Sequence, residues 1–318
     1  MSRAFVFPGQ GAQSVGMGKA LADAYPAARA VFEEVDAALG ENLSRLIWEG
    51  PQEELTLTRN AQPALMATSL AALRALEAEG VAITDAGFVA GHSLGEYSAL
   101  AAAGALSLAD TARLLRLRGD AMQAAVPVGM GAMAAILGLD FATVSQIAAE
   151  AAASAGGEVC QAANDNDPGQ VVVSGHLAAV ERAIAIAREK GARRAVLLPV
   201  SAPFHCALMQ PAAEVMAEAL AKVEISRPKV PLVANVCACA VSDPAEIRKL
   251  LVAQVTGSVR WRESVLWMAA HGVDEIWEIG AGKALSGMIR RIDRAITCRA
   301  VATPEDVAAA AQSIKEGE

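Results

Sequence analysis

Short apolar segments alternate with longer amphipathic segments along the first third of the chain. Residues 3–7 form an apolar run that ends in the turn-forming sequence Pro-Gly-Gln-Gly, and residues 87–95 contain a second run that ends in a glycine-rich turn. Helical periodicity is found at residues 16–39, 61–79, 96–103 and 107–125. Alternation of buried strands with amphipathic helices predicts a mostly parallel β-sheet that is covered by helices on both faces.

The middle of the chain has a different order of elements. We predict strands at residues 130–139, 158–163, 170–175 and 192–200. Helices are predicted at 142–155 and 177–190, and a turn at 164–169 joins the second and third strands. This βαββαβ order is typical of a ferredoxin-like unit. The sequence therefore predicts a small ferredoxin-like domain of residues 128–198, inserted into a large α/β domain of residues 1–127 and 199–318.

After this insertion the α/β pattern resumes, with predicted helices at 211–223, 244–256 and 305–315 and predicted strands at 231–236 and 273–279. Residues 121–139 carry no charge and approach the length of a membrane span. This run is divided by the helix-breaking residues Pro127, Gly129, Gly131 and Gly138. We therefore expect no membrane span and no membrane partner. The apolar stretch at the start is too short for a signal peptide, which predicts a cytoplasmic protein.

Composition and charge exclude several classes of protein. Hydrophobic residues make up 54% of the 318 residues and charged residues 19%, which excludes intrinsic disorder. With 27 Lys and Arg against 35 Asp and Glu, the formal net charge is −8, which argues against a nucleic-acid partner. No pair among the five cysteines has CxxC spacing. Cys237 and Cys239 alternate along a predicted strand, so we expect two small buried side chains in a reducing compartment.

The sequence Gly91-His-Ser-Leu-Gly95 matches the nucleophile-elbow pattern G-x-S-x-G. A predicted strand enters this turn and a predicted helix leaves it, and the two glycines keep Cβ atoms out of the crowded reversal. Ser93 would then present its hydroxyl at a helix N-terminus, where the Leu94 amide could stabilise an oxyanion. The alternative is a tight turn with a purely structural role, and the flanking strand and helix favour the catalytic interpretation.

A catalytic serine needs a base, and the chain has four histidines. His92 lies inside the elbow and is predicted to point away from the reaction. His176 follows a predicted strand, and His271 ends a predicted helix. Both positions indicate surface or capping residues. His205, in the proline-bearing loop of residues 201–206, is the base by elimination, although a structural loop histidine is the alternative.

We find no convincing acid to orient this imidazole. The aspartates between serine and histidine belong to predicted helices or to the small domain: Asp110, Asp120, Asp140, Asp165 and Asp167. A backbone carbonyl could take that role instead. The glycine-rich turn at residues 7–13 lacks the Gly-Lys-Ser/Thr ending of a phosphate-binding loop, so a second oxyanion donor is the better interpretation.

Several motifs together resemble those of the malonyl-CoA:acyl carrier protein transacylase family over essentially the whole length. They are FPGQGAQ at 7–13, GHSLGEYSAL at 91–100, LLRLRGDAM around Arg118, NDNDPGQVVVSG at 164–175, SAPFH at 201–205 and EIGAGKAL at 278–285. No single one of them is specific, but the set is. The resemblance implies a hydrolase-like large domain with a ferredoxin-like insert.

The resemblance also implies a role for individual residues. Ser93 matches the acylated nucleophile and His205 the general base, while Gln10 and Leu94 match the two backbone donors of the oxyanion hole. Arg118 matches the arginine that binds the free carboxylate of the substrate. Without the resemblance, the helix pattern would favour an arginine extending to the surface, as we expect for Arg113 and Arg116.

Three further positions carry over from the family. Asn164 matches an asparagine near the cleft, and Phe204 resembles the bulky residue of malonyl-selective members. The imidazole-orienting carbonyl of the family lies in a Val-Gln-Trp context, which here is Val259-Arg260-Trp261. The resemblance therefore assigns that carbonyl to Arg260.

The implied reaction is a ping-pong transfer of malonyl from malonyl-CoA to the thiol of acyl carrier protein, with no metal and no tightly bound cofactor. Because carrier proteins are acidic, we expect a basic docking patch. Candidates are Lys190, Arg193, Arg194, Lys283, Arg290, Arg291 and Arg294. Alternatives are a polyketide-pathway acyltransferase, a serine hydrolase or thioesterase, and a non-catalytic carrier-binding module.

Overall fold

The computed structural model describes residues 2–154 and 156–317. The strands of this part of the chain are β1 (Ser2–Phe7), β2 (Phe88–Gly91), β3 (Gly131–Leu137), β4 (Cys160–Asp167), β5 (Gln170–His176), β6 (Arg194–Leu197), β7 (Leu232–Ala234), β8 (Cys239–Val241), β9 (Val273–Ile279) and β10 (Thr297–Val301). The helices are α1 (Lys19–Ala24), α2 (Pro26–Leu39), α3 (Leu43–Glu49), α4 (Gln52–Thr56), α5 (Thr58–Ala78), α6 (Gly95–Ala102), α7 (Leu108–Ala124), α8 (Phe141–Ala153), α9 (Leu177–Glu189), α10 (Gln210–Leu220), α11 (Pro244–Thr256), α12 (Trp261–Ala270), α13 (Ala284–Ile292) and α14 (Pro304–Gly317).

The larger sheet has the strand order β10-β9-β1-β2-β7-β8. Its pairs are parallel except for β8, which lies antiparallel to β7, so the predicted mostly parallel sheet is confirmed. The central strand β1 is buried on both faces from Ala4 to Phe7, as expected when helices cover both sides of a parallel sheet. In the register of β1 with β2, Phe7 lies opposite Gly91, so the two glycine-rich turns leave the sheet side by side.

The smaller sheet is antiparallel, with the order β4-β5-β3-β6. Together with α8 and α9 it forms the predicted βαββαβ sequence, and its apolar side chains make a separate core that includes Ile136, Val144 and Val173. We call residues 131–197 the insert, and the remaining described residues the main body.

One part of the insert differs from the prediction. Residues 164–167, predicted as a turn, continue strand β4. Two sets of contacts keep these residues extended. Asn164, Asp165 and Asp167 pair with residues 170–172 of β5 across a tighter turn than predicted. In addition, the Asp165 amide donates to the Val259 carbonyl, and the Val259 amide donates to the Ala163 carbonyl, nearly a hundred residues away.

The expectation for Cys237 and Cys239 is also wrong. Strand β7 ends at Ala234, and residues 235–238 form a turn in which Ala238 has a φ of 51°. The two cysteines are half-buried and are bonded to each other by a disulfide. A reversal of the chain, which the apolar alternation conceals, brings their sulfur atoms together.

Helices α3, α4 and α13 and strand β10 are found where no element was predicted, and α12 lies before His271, where a helix end was predicted. The uncharged run at 121–139 divides between the end of α7 and strand β3, as the proline and glycines indicated. Within the described ranges, no helix is long and apolar enough to cross a membrane.

Candidate active site

The elbow between β2 and α6 holds Ser93 in a strained backbone conformation, with a φ of 53°. A Cβ atom on Gly91 would lie 1.9 Å from the Gly95 carbonyl carbon, and a Cβ atom on Gly95 would lie 2.2 Å from the Phe7 carbonyl oxygen. Only glycine fits at either position, so the sharp reversal depends on both of them. The strain at a serine aimed into a cleft is typical of a functional site.

Two side chains from distant segments form hydrogen bonds with the backbone of the elbow. The Ser93 amide donates to Asn235 Oδ1 at 2.9 Å, and Asn235 Nδ2 donates to the Gly91 carbonyl at 2.7 Å. Gln254 Nε2, on α11, donates to the Ser93 carbonyl at 2.9 Å. The backbone groups that the reversal leaves unpaired are therefore satisfied inside the protein.

His205 lies against the nucleophile, with 2.7 Å between His205 Nε2 and Ser93 Oγ. Its other ring nitrogen, Nδ1, is 2.9 Å from the carbonyl oxygen of Gln254. An Nδ1–H that donates to this carbonyl leaves Nε2 free to accept the serine proton. A serine, an imidazole and an orienting acceptor are thus in line.

The assignment of the orienting carbonyl to Arg260 is therefore wrong. The Arg260 carbonyl accepts hydrogen bonds from the Ser264 amide at 2.9 Å and the Ser264 hydroxyl at 2.8 Å, within the first turn of α12. Gln254 lies six residues earlier in the chain, near the end of α11. That helix brings its carbonyl under the imidazole, which the spacing of residues could not show.

Burial and, to a smaller extent, the nearby positive charge of Arg118 together lower the pKa of His205 to about 3. The ordinary pKa of an imidazole is near 6.5, so His205 is neutral at physiological pH. A neutral imidazole in contact with a serine hydroxyl can accept its proton.

Arg118, on α7, is 1% exposed and lies beside the nucleophile. Its Nη2 donates to Ser93 Oγ at 3.1 Å and to Gln254 Oε1 at 2.8 Å, and its Nη1 donates to Gln62 Oε1 at 2.7 Å. Among the described residues no carboxylate forms a salt bridge with it. A buried cation whose partners are neutral can bind an anion brought by a substrate.

The neighbouring arginines of α7 differ from each other. Arg113 is exposed and pairs with Asp110, as expected. Arg116 was expected to face solvent, but it is buried and donates to Asn60 Oδ1 and to the Arg59 carbonyl. The helix packs against the start of α5, so more of its circumference is covered than the apolar pattern indicated.

Glu96 lies fully buried under the elbow. Its Oε2 accepts from the Asn235 amide at 2.8 Å and from Gln254 Nε2 at 3.2 Å. Burial raises the pKa of this carboxyl to about 7, against the opposing effect of those hydrogen bonds and of Arg118. Glu96 therefore contacts the two residues that hold Ser93, Asn235 and Gln254.

The catalytic groups open onto a cleft of about 520 Å³ between the main body and the insert. Gln10, Leu94, Asn164 and Phe204 all line it. In the part of the chain that the structure covers, the amides of Gln10 and Leu94 make no hydrogen bond, so they can donate to a ligand. The described residues contain no cluster of side chains suited to a metal ion.

The remaining histidines have structural partners. His92 Nε2 is 2.9 Å from Asn166 Oδ1 of the insert, so this ring lies between the elbow and β4. His176 and His271 lie at helix ends, as predicted. Elimination therefore selected the histidine that the structure places at Ser93.

Sequence reasoning missed the three amide side chains Gln62, Asn235 and Gln254. Each is buried, and each holds Ser93 or Arg118 in place. Their only signal was an uncharged polar residue inside an otherwise apolar segment, and many such residues have no functional contact.

Comparison with known proteins gives a consistent result. The acyl transferase domain family matches residues 4–285. The malonyl CoA-acyl carrier protein transacylase of Bacillus subtilis (strain 168) is 47% identical over 313 residues, which cover 98% of this chain and 97% of that protein. The crystal structure of acyl-carrier-protein-S-malonyltransferase from Bartonella henselae has 57% identity and a TM-score of 0.96, covering 99% of this chain and 100% of that one. A malonyl-transacylase in complex with its type II PKS acyl-carrier protein has 41% identity and a TM-score of 0.94, covering 98% and 100% of the two chains.

Proposed function

The chain belongs to the acyl transferase domain family, and we propose that it transfers the malonyl group of malonyl-CoA to acyl carrier protein in fatty-acid biosynthesis. One observation carries the choice of acyl group. Arg118 Nη2 is 3.1 Å from the nucleophilic oxygen, so its charge is fixed within a few ångströms of the acyl carbon. In malonyl thioesters a free carboxylate lies one methylene from the reacting carbonyl, and it would reach this guanidinium.

In the first half-reaction, Ser93 Oγ attacks the thioester carbonyl while His205 Nε2 accepts the hydroxyl proton. The carbonyl oxygen becomes an oxyanion that accepts hydrogen bonds from the Gln10 and Leu94 amides. When the tetrahedral intermediate collapses, the carbon–sulfur bond breaks and His205 returns the proton to the leaving thiolate. The products are CoA and malonyl-Ser93.

In the second half-reaction, the phosphopantetheine thiol of the carrier enters by the same path. His205 accepts its proton, the thiolate attacks the malonyl ester, and the proton passes to Ser93 Oγ as that oxygen leaves. One base serves both half-reactions, because the leaving group of one is equivalent to the nucleophile of the other. The chemistry requires no metal and no tightly bound cofactor.

The acyl pocket and the fold complete the proposal. Phe204, next to the base and on the cleft wall, restricts substituents on the malonyl α-carbon. We assign residues 1–127 and 199–318 to a hydrolase-like large domain and residues 128–198 to a ferredoxin-like small domain. The strand order of the insert supports this assignment, and the cytoplasmic location stays a prediction.

Carrier docking is expected at one of two exposed basic groups. Lys283, Arg290 and Arg294 are exposed beside the cleft-lining start of α13, and Lys190, Arg193 and Arg194 are exposed on the insert. Arg291 is also exposed, but it donates to the buried carboxylate of Asp167. We propose that the carrier binds the group on α13 because it lies beside the cleft, and the Glu substitution of Arg290 and Arg294 is the variant that tests it.

The proposal is tested by intact-mass measurement after incubation with malonyl-, methylmalonyl- or acetyl-CoA, with and without carrier. We expect malonyl on the protein, and then on the carrier when it is present, with no adduct on Ser93→Ala. Release of free malonate without an acylated carrier would indicate a hydrolase or thioesterase. Absence of any adduct would indicate a non-catalytic carrier-binding module.

A polyketide-pathway acyltransferase is the second candidate, because one similar structure is a malonyl-transacylase bound to a type II PKS carrier protein. Its chemistry would be the same, so only the carrier differs. Comparison of kcat/KM for a fatty-acid carrier and a polyketide carrier separates the two. We expect the fatty-acid carrier to be preferred.

A further inference from the structure

Four consecutive polar side chains of strand β4, residues 164–167, are all buried. They alternate in what they face. Asn164 and Asn166 line the catalytic cleft, while Asp165 and Asp167 bind arginines of the main body. Alternation is the ordinary property of a strand, so one short segment presents two different faces to the main body.

Asp165 is 1% exposed and accepts from two nitrogens of Arg262, with Nε 3.0 Å from both carboxylate oxygens and Nη2 2.9 Å from Oδ2. Asp167 is 3% exposed, and its Oδ2 accepts from Arg291 Nε at 2.8 Å. Arg262 lies on α12 and Arg291 on α13. Of the ion pairs between described residues, these are the two that join the insert to the main body.

Neither pair touches Ser93, His205 or Arg118, so the catalytic mechanism does not use them. A buried carboxylate is retained only where a partner compensates its desolvation, and each aspartate has such a partner on the other side of the boundary. Their effect passes to the neighbouring residues Asn164 and Asn166. Asn166 Oδ1 binds the His92 ring at 2.9 Å, and Asn164 pairs through its backbone with Val259.

We propose that Asp165 and Asp167, with Arg262 and Arg291, are positioning residues that fix the cleft wall formed by Asn164 and Asn166. The proposal rests on the proposed function, because the pantetheine arms of malonyl-CoA and of the carrier must both pass this wall. A wall that can shift holds either arm less well. The Ser93–His205 pair lies in the main body and would stay assembled.

Asp→Asn variants test the idea with little change in shape. In Asp167→Asn the Oδ1 atom can still accept from the Gly169 amide, as Asp167 Oδ1 does at 3.0 Å, so only the charged pair is lost. We expect Asp165→Asn and Asp167→Asn each to raise KM for malonyl-CoA and for the carrier by about 5-fold, with kcat changed less than about 2-fold. Arg262→Gln and Arg291→Gln should do the same.

A double-mutant cycle separates a specific pair from general damage. Asp167→Asn/Arg291→Gln should have the KM of the single variants rather than the product of the two effects. Glu150→Gln is the matched control, because it removes an exposed ion pair with Lys190 inside the insert, and its KM values should equal those of the wild type. The concentration of active sites is measured from the amount of malonyl-enzyme formed. Values of kcat are calculated from this concentration, so that unfolded protein does not lower them.

A readout that needs no substrate is amide hydrogen exchange across residues 160–167. We expect faster exchange there in both Asp→Asn variants and unchanged exchange in Glu150→Gln. Unchanged KM values, additive effects in the cycle, or a loss confined to the number of active sites would overturn the positioning role. If the wild type transferred no malonyl, the proposed function would fail, and hydrogen exchange would still decide whether the pairs hold the strand.

Discussion

The elbow that carries Ser93 and the pocket that holds Arg118 lie side by side but are built differently. The elbow comes from one contiguous segment, in which two glycines allow a reversal that forces the serine into the cleft. The pocket is assembled from separate helices, with Gln62 on α5, Arg118 on α7 and Gln254 on α11. The turn that presents Ser93 is therefore encoded locally, whereas the surroundings of Arg118 depend on packing.

Gln254 belongs to both regions. Its side-chain amide donates to the Ser93 carbonyl, its side-chain oxygen accepts from Arg118, and its backbone carbonyl accepts from His205. Gln254 therefore supports both the elbow that carries Ser93 and the pocket that holds Arg118, so the two regions are not fully separate. Substitutions in the elbow, in the pocket and at Gln254 test whether the two regions can be changed independently.

The largest effect is expected for the elbow itself. Ser93→Ala removes the nucleophile and keeps a small side chain at the same strained position, so the fold should persist. We expect malonyl transfer to fall by more than about 10⁴-fold, with no acyl-enzyme detectable by mass. Circular dichroism and thermal unfolding serve as the control. Acylation of the alanine variant would show that Ser93 is not the nucleophile.

Substitution in the pocket should change selectivity instead. Arg118→Ala removes a charge-assisted contact worth roughly 2–3 kcal/mol, which lowers malonyl kcat/KM by about 30- to 150-fold. Acetyl-CoA has no carboxylate for the guanidinium, so its kcat/KM should change little. Arg118→Lys should restore malonyl transfer only in part, because an ammonium lacks the planar fork. An equal loss for acetyl and malonyl would make Arg118 a structural residue.

Substitution of Gln254, which contacts both regions, should affect both the rate of acyl transfer and the hold on Arg118. Gln254→Met keeps the backbone carbonyl and the length of the side chain but removes the amide that contacts Ser93 and Arg118. We expect malonyl and acetyl kcat/KM both to fall, by about 10- to 100-fold, because buried partners lose their hydrogen bonds. A loss for malonyl alone would place Gln254 entirely in the pocket. Thermal unfolding distinguishes either result from a loss of folded protein.

A smaller effect is expected on the cleft wall opposite the arginine. Phe204→Ser opens space beside the base, and the ratio of kcat/KM for malonyl-CoA to that for methylmalonyl-CoA should fall about 10-fold, the scale of one methyl group in a pocket. The nucleophile and the carboxylate contact are untouched, so malonyl transfer itself should remain. If the ratio stayed constant, another residue would set the size limit.

The smallest expected effect is on the pH profile. The pKa of His205 lies at about 3, so the base stays unprotonated as pH falls from 7 to 5, and kcat/KM for malonyl-CoA should not decline through its titration there. Arg118→Met removes a charge that lowers this pKa, so the acid limb should move toward higher pH. A step near pH 7 that disappears in Glu96→Gln belongs to Glu96, whose pKa is about 7. An acid limb near pH 6.5 that persists in Glu96→Gln would contradict the assignment.

Much of this protein was predictable from short stretches of sequence. Periodicity predicted the parallel sheet and the βαββαβ insert, because burial of alternate or every third to fourth residue leaves a local pattern. The elbow at Gly91–Gly95 was predictable because its chemistry requires specific residue types at fixed spacing. Elimination selected His205, since each of the other histidines belongs to a local turn or helix end.

Several of the failures at the site share one physical cause, which is contact between segments that are distant in the chain. Residues 164–167 were predicted as a turn, yet they pair with β5 and also with Val259 of the main body. The carbonyl that orients His205 was assigned to Arg260, yet α11 brings Gln254 to the imidazole. Neutral amides such as Gln62 and Asn235 have no local signature of function, and they hold Arg118 and Ser93 only after several helices pack together. Local sequence was enough to predict most of the elements and the reacting groups, because those follow from local sterics and hydrophobic periodicity. Which buried polar groups meet depends on tertiary packing, because each must find its hydrogen-bond partner across the core.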